Sequence, residues 1–187
     1  MIGSHDSFTY LSARNPLVNI FKGLWKTQDK SIEAQYKSGV RFFDIRLFRD
    51  GRVWRAAHGA AEFGMTYRDL SEAARDFCKM FPGCRFGIWL EKGTDEDWEL
   101  FRAEAEPLKK RYKWALAQLV RKKPEEVYYR CEDYPHIEYL AFRGWNWRNV
   151  LRGLFGSPVR RWAKRHNITP TREQRADRGT VYFMDFV

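Results

Sequence analysis

The chain has 187 residues, 44% hydrophobic and 17% aromatic, which suffices for one packed domain and excludes a disordered composition. Its formal charge of +10 favours anionic partners: nucleic acid, phospholipid head groups or a phosphorylated substrate. No run approaches the roughly 18 uninterrupted apolar residues of a membrane-spanning helix.

Met1-Ile2 leads straight into Gly3-Ser4 with no apolar leader. This predicts a protein that stays in the cytoplasm or at the membrane periphery, or a secreted one whose export segment lies upstream. His5-Asp6 follows at once, as loop filler or as half of a proton-transfer site. PLVNIFKGLWK (16–26) spaces Leu17, Ile20, Phe21, Leu24 and Trp25 as an amphipathic helix, with Lys22 and Lys26 alongside. VRFFDIRLF (40–48) reads as a strand, and the turn at Arg49-Asp50-Gly51 leads to a second one, RVWRAAHG (52–59). Residues 66–83 read as a helix with Thr66 as its N-cap and Leu70, Ala73, Ala74 and Phe77 as its apolar stripe, ending at Pro82-Gly83.

RFGIWLEKG (85–93) is a buried strand, and a helix carrying Trp98 and Phe101 starts near Thr94. Residues 108–123 read as a basic helix, 126–131 and 137–142 as strands, 157–166 as a second basic helix with Pro158 in its first turn, and 179–187 as an apolar strand. Cys78, Cys84 and Cys131 lack metal-ligand spacing. They are expected to be reduced and partly buried, a Cys78–Cys84 bridge being the alternative.

Strands separated by helices predict an α/β fold with a parallel sheet and βαβ crossovers. Polar residues recur where apolar strands end: Asp44 and Arg46, His58, Glu91, Asp185, with His5 and Asp6 after the stub Met1-Ile2. In a parallel barrel such ends open on one mouth. Asp44 and Arg46 are two apart and share a face, while Phe43, Ile45 and Leu47 take the other. A polar mouth gives that pair its partners, with a structural Asp–Arg salt bridge capping the barrel as the alternative.

GSHDSFTY (3–10), the stretch 14–46 ending VRFFDIR, AAHG (56–59) and MDF (184–186) together resemble, in order and spacing, the catalytic X-type domain of bacterial phosphatidylinositol-specific phospholipase C. The resemblance is good over residues 3 to about 92 and returns only in the last nine. It implies a single domain over 1–187: a small TIM-type (β/α) barrel, closed or imperfectly closed, since the 96 residues after Glu91 are few for half a barrel.

The activity implied is cleavage of phosphatidylinositol to diacylglycerol and a cyclic inositol phosphate, with a phospholipid substrate, an anionic membrane surface as partner, and no nucleic acid. Residue by residue, His5 matches the general base, Asp185 the carboxylate that orients it, and Arg46 the group that binds the phosphate oxygens. His58 matches the general acid and Asp6 its partner carboxylate. Asp44, Glu91, Lys92 and, as the best local candidate, Tyr134 fall to substrate binding. Phe21, Lys22, Trp25 and Lys26 fall to the membrane interface, with a helix packed on the barrel as the even alternative.

The resemblance also implies that no metal or other cofactor is needed, because Arg46 replaces the cation of the calcium-dependent relatives. Glu91 departs from it: bacterial members have lysine there, and glutamate follows the calcium enzymes, which keeps calcium as the alternative. The rival readings are a phosphodiesterase for another lipid or a glycosylphosphatidylinositol anchor, and a non-catalytic basic module that binds membrane or nucleic acid.

Overall fold

The computed structural model describes residues 1–112, 116–121, 136–138, 157–167, 170–173 and 180–187. Strand β1 (Ile2–Ser4) leads through a long loop into three short helices, α1 (Pro16–Ile20), α2 (Lys22–Trp25) and α3 (Ile32–Lys37). Strands β2 (Phe42–Asp50), β3 (Val53–His58) and β4 (Ala61–Tyr67) follow, then α4 (Leu70–Met80), β5 (Arg85–Lys92) and α5 (Asp95–Arg111). Beyond these lie β6 (Leu116–Arg121), β7 (His136–Glu138), α6 (Pro158–His166) and β8 (Thr180–Met184).

Parallel pairing gives the strand order β7-β8-β1-β2-β5-β6, so the first strand lies between the last and the second. Among the described residues no pairing joins β6 to β7, and the sheet is open. The expected parallel α/β sheet is therefore present, with one addition. β2, β3 and β4 form an antiparallel meander hung on the far half of β2. His58 reaches the mouth on this antiparallel return rather than at the end of a parallel strand.

Alternation along β2 sorts its side chains as its parity predicts. Phe43, Ile45 and Leu47 enter the hydrophobic core. There Phe43 meets Phe77 and Phe81 with ring centroids 6.2 and 5.2 Å apart, and Phe77 meets Phe86 at 5.7 Å. Leu70, Ala73, Ala74 and Phe77, spaced to face one way on α4, are all buried. This aromatic layer holds β2 and β5 flat against α4 and fixes where the other face of β2 points.

Thr66 is not a helix cap. It lies in β4 opposite Arg55, and the cap is Asp69, whose side chain accepts from Glu72 N at 2.8 Å. Residues 108–123 are not one helix either. α5 ends at Arg111, and 116–121 pair in parallel with β5, a ladder that outweighs the helical preference of a Lys/Arg-rich segment.

The expected strand 126–131 and residues 139–142 lie outside the described residues, as does Tyr134. Thr94 closes a capping box with Asp97, and Ser157 caps α6 through Arg160 N at 3.0 Å. Cys78 and Cys84 are free thiols, and burial pushes the Cys84 thiol up to about 11.

Candidate active site

His5 and Asp6 stand where β1 stops. His5 N still donates to Met184 O of β8 at 3.2 Å, but Asp6 adopts φ +46°, a left-handed conformation that aspartate tolerates better than most residues. The turn is held from β2: Asp6 N donates to Asp44 Oδ2 (3.1 Å), Ser7 N to Asp44 O (2.9 Å), and Ser7 Oγ accepts from Asp44 N (3.1 Å). The sequence thus turns sharply after three strand residues, and both titratable side chains fall over the end of the sheet.

The structure brings together His5, Asp6, Asp44, Arg46, His58, Glu91 and Asp185. All are buried except His58, which is half-buried. Arg46 donates from Nε to both oxygens of Asp44 (3.2 and 3.1 Å), from Nη2 to Asp44 Oδ2 (2.9 Å) and from Nη1 to Glu91 Oε2 (3.3 Å). Its Nε also meets Asp6 Oδ1. One guanidinium therefore balances three carboxylates, with a fourth, Asp185, behind His5.

The hydrogen-bond partners assign the two imidazoles different roles. His5 Nδ1 lies 2.9 Å from Asp185 Oδ1 and donates to it, while Nε2 lies 2.9 Å from Arg46 Nη2, which can only donate. Facing that guanidinium, Nε2 presents its lone pair and the ring is the neutral Nδ1–H tautomer; facing Asp6 Oδ2 instead, the same nitrogen carries a proton. His58 Nδ1 lies 2.7 Å from the Trp25 carbonyl, which can only accept, and Nε2 lies 3.1 Å from Asp6 Oδ2. Both nitrogens of His58 face acceptors, the pattern of an imidazolium. Asp6 Oδ2 also sits 3.1 Å from His5 Nε2, so a single carboxylate oxygen touches both rings, whose centroids are 6.3 Å apart.

Glu91 reaches the site through a bulge. Leu90 pairs with Leu47 and Lys92 with Phe48, which leaves Glu91 as an extra residue that a regular ladder would not aim here. Its Oε1 accepts from Gly59 N at 2.7 Å, in the tight turn after His58 where Gly59 takes φ +56°. Lys92, expected to bind substrate, does not join the cluster. With the extra position taken by Glu91, its ammonium lies against Glu62 Oε1 (2.5 Å) and over the Phe48 ring (4.2 Å).

Trp25, expected at a membrane interface, is buried. The helix breaks at Phe21, so Leu24 and Trp25 turn inward, Trp25 packs against Phe63 (5.7 Å) and its indole N–H donates to Val18 O (3.0 Å). Its contribution is the carbonyl that holds His58. Leu17 (68% exposed), Ile20 (53%) and Phe21 (37%) are the apolar residues left outside, with exposed Lys22 next to them. Lys26 is paired with Asp29 at 3.3 Å.

Sequence reasoning missed the polar residues behind the site. Gln28 and Gln35 are fully buried, and Thr27 Oγ1 donates to His5 O at 3.1 Å. No periodicity marks them; only their polarity, in a segment the fold encloses, sets them apart.

Burial pushes the Asp185 carboxyl well above the usual carboxylate range, with Asp6 and Asp44 adding to the shift and Arg46 opposing it. Burial likewise pushes Asp44 up, and the Arg46 guanidinium offsets only part of this. The folded chain thus holds a proton on Asp185 more tightly than the unfolded chain does. Stability falls as the pH rises out of the usual carboxylate range, and the penalty is complete above the raised value. Asp185→Asn removes that dependence. Thermal melts are expected to show the variant above wild type at pH 7, with the gap closing as the pH falls toward about 4; a gap independent of pH would contradict the shift.

No family model matches the chain. Over 101 residues it is 35% identical to 1-phosphatidylinositol phosphodiesterase of Staphylococcus aureus strain Newman, an alignment covering 51% of this chain and 30% of that protein. The protein of the same name from strain NCTC 8325 / PS 47 aligns with 35% identity over 101 residues, 51% of this chain and 28% of its own length. The chain spans less than a third of the length of these curated relatives.

Phosphatidylinositol-specific phospholipase C from Listeria monocytogenes superposes with a TM-score of 0.44 at 23% identity, covering 60% of this chain and 39% of that one. A variant of the Staphylococcus aureus enzyme gives 0.40 at 27%, covering 60% and 38%. The resemblance to bacterial phosphatidylinositol-specific phospholipase C carried by the motifs thus holds in an alignment of half the chain.

Proposed function

We propose that this chain cleaves phosphatidylinositol by attack of the inositol 2-hydroxyl on phosphorus, giving diacylglycerol and a cyclic inositol phosphate. The observation that carries this reading is the shared oxygen: Asp6 Oδ2 lies 3.1 Å from Nε2 of both His5 and His58, with Arg46 beside them. Intramolecular displacement needs one group to take a proton and another to give one, on opposite sides of the phosphate. The neutral His5 takes the hydroxyl proton, and Asp185 then stabilises the imidazolium formed. His58 gives its Nε2 proton to the departing alkoxide. Arg46 turns from its carboxylates toward the non-bridging oxygens, where negative charge builds. That movement uncovers the His5 lone pair, and Asp6 accepts from whichever ring carries the proton.

The reaction needs no metal in this reading. His5, Asp6 and Asp44 present ligand atoms within 4.8 Å of one another, a donor set with the oxygens calcium prefers. The guanidinium of Arg46 lies against those carboxylates and supplies the positive charge a cation would bring. We also propose that residues 1–187 form a single domain and that the parallel strands are an arc of a TIM-type barrel, since pairing of the first strand with the last is the step that closes one. Incubation with phosphatidylinositol and excess chelator tests the reaction. The cyclic phosphate should appear in the phosphorus NMR spectrum at an unchanged rate; full dependence on added calcium, or a non-cyclic first product, would overturn the reading.

The exposed Leu17, Ile20 and Phe21, with Lys22, form an apolar edge on the chain segment whose Trp25 carbonyl holds His58. Such an edge suits insertion into a lipid surface, its lysine meeting anionic head groups. Ile20→Asp should lower the ratio of turnover on lipid vesicles to turnover on a soluble inositol phosphodiester by about tenfold, from the apolar burial lost. An unchanged ratio would remove this edge from the interface.

A further inference from the structure

We propose that Gln28 is a positioning residue that sets the His5–Asp185 pair. The proposal rests on the reading of His5 as base and Asp185 as its orienter. Those two side chains meet at 2.9 Å although they stand 180 positions apart in the chain. The sheet alone does not set that meeting. β8 ends at Met184 and β1 at Ser4, so both residues lie past the last paired positions of their strands. One backbone bond links the segments there, His5 N to Met184 O. The chain then turns away at Phe186, a non-glycine residue at φ +56°.

Gln28 spans this junction with one planar amide. Its Nε2 donates to His5 O at 3.0 Å and to Met184 O at 2.8 Å, while Oε1 accepts from Val187 N at 3.2 Å. The two donor hydrogens therefore go to the base itself and to the residue before its orienter, and the acceptor takes the chain two residues beyond that orienter. Gln28 is fully buried, and its own N–H is tied to Thr9 Oγ1 at 2.9 Å. Neither an apolar residue nor a shorter amide can hold both carbonyls at once.

Gln35 provides the control. It is equally buried and hydrogen-bonded, to Ser4 Oγ, Ser7 O and Lys30 O, yet none of these bonds reaches His5 O or the end of β8. The test is nitrogen NMR of the full chain with labelled imidazoles, on wild type, Gln28→Met and Gln35→Met, with thermal melts to confirm folding. Gln28→Met should move the His5 shifts from a fixed Nδ1–H tautomer toward the average of a tautomer mixture. It should lower kcat by about 10–100-fold, the range for lost outer-shell orientation, with KM changed less than about threefold. Gln35→Met, which loosens Ser4 and Ser7 but neither His5 O nor the end of β8, should move the His5 shifts clearly less than Gln28→Met does.

If Gln28→Met does not fold, Gln28→Asn, which keeps the amide one carbon short, is read in the same way. Unchanged His5 shifts in a folded Gln28 variant, or equal changes in the Gln35 variant, would overturn the proposal. Should wild type fail to turn over inositol phosphodiesters while its His5 shifts still respond to Gln28→Met, the reaction assignment falls and the positioning role stands.

Discussion

Replacing Arg46 with alanine is expected to lower turnover by about 10²–10³-fold, the usual consequence of removing a donor to charge that builds in a transition state. The same change is expected to weaken the fold by about 3–5 kcal/mol, because Asp6, Asp44 and Glu91 then share a buried site without their counter-charge. In a chain of this size that corresponds to a fall in Tm of about 6–20 °C. Arg46→Lys separates the two effects. An ammonium restores charge but cannot reach Asp44 and Glu91 while presenting a planar fork to phosphate. The lysine variant should thus recover most of the melting temperature and little of the turnover. Recovery of both together would mean that Arg46 is only a structural counter-ion.

Asp185→Asn should keep the hydrogen bond from the neutral His5 ring, since the amide oxygen can accept where Oδ1 does. It removes the charge that stabilises the ring once protonated. Turnover is therefore expected to fall by about 10²–10⁴-fold with little change in KM, in line with what the orienting aspartate contributes to other base–orienter pairs. Because the two residues act as a unit, Asp185→Asn should cost almost nothing further in a His5→Ala background. Additive losses in that double variant would separate the two residues functionally.

Much of this site was legible because strand parity is rigid. Asp44 and Arg46 two positions apart, with Phe43, Ile45 and Leu47 between and beside them, could face only one mouth, and the structure keeps that arrangement. His5 and Asp185 could be matched by motif, and they meet at 2.9 Å.

What escaped the sequence depended on irregularities or distant partners. β4 was hidden because Gly64, Met65 and Thr66 are exposed in succession, which breaks the alternation that marks a strand. β6 carries a helix-like composition and takes its conformation from pairing with β5. The spacing of residues 16–26 predicts one apolar face, but the break at Phe21 divides it. Leu17 and Ile20 stay outside, and Leu24 and Trp25 go in. Both Glu91 and Lys92 were expected to bind substrate, and one bulged residue puts Glu91 in the site and Lys92 outside it, a feature no periodicity records. The roles of Gln28 and of the Trp25 carbonyl exist only once remote segments have met.

The most direct test of the paired histidines is the dependence of each variant on its leaving group. A general acid matters when the departing oxygen is strongly basic and hardly at all when it leaves readily as an aryl oxide. Kcat/KM is to be measured for His5→Ala and His58→Ala on an alkyl and on a nitrophenyl ester of inositol 1-phosphate. His58→Ala is expected to lose about 10²–10⁴-fold on the alkyl ester and about tenfold or less on the nitrophenyl ester, whereas His5→Ala loses heavily on both. Equal losses for His58→Ala on the two esters, or rescue of His5→Ala by the better leaving group, would contradict the assignment of base and acid across one bound phosphorus.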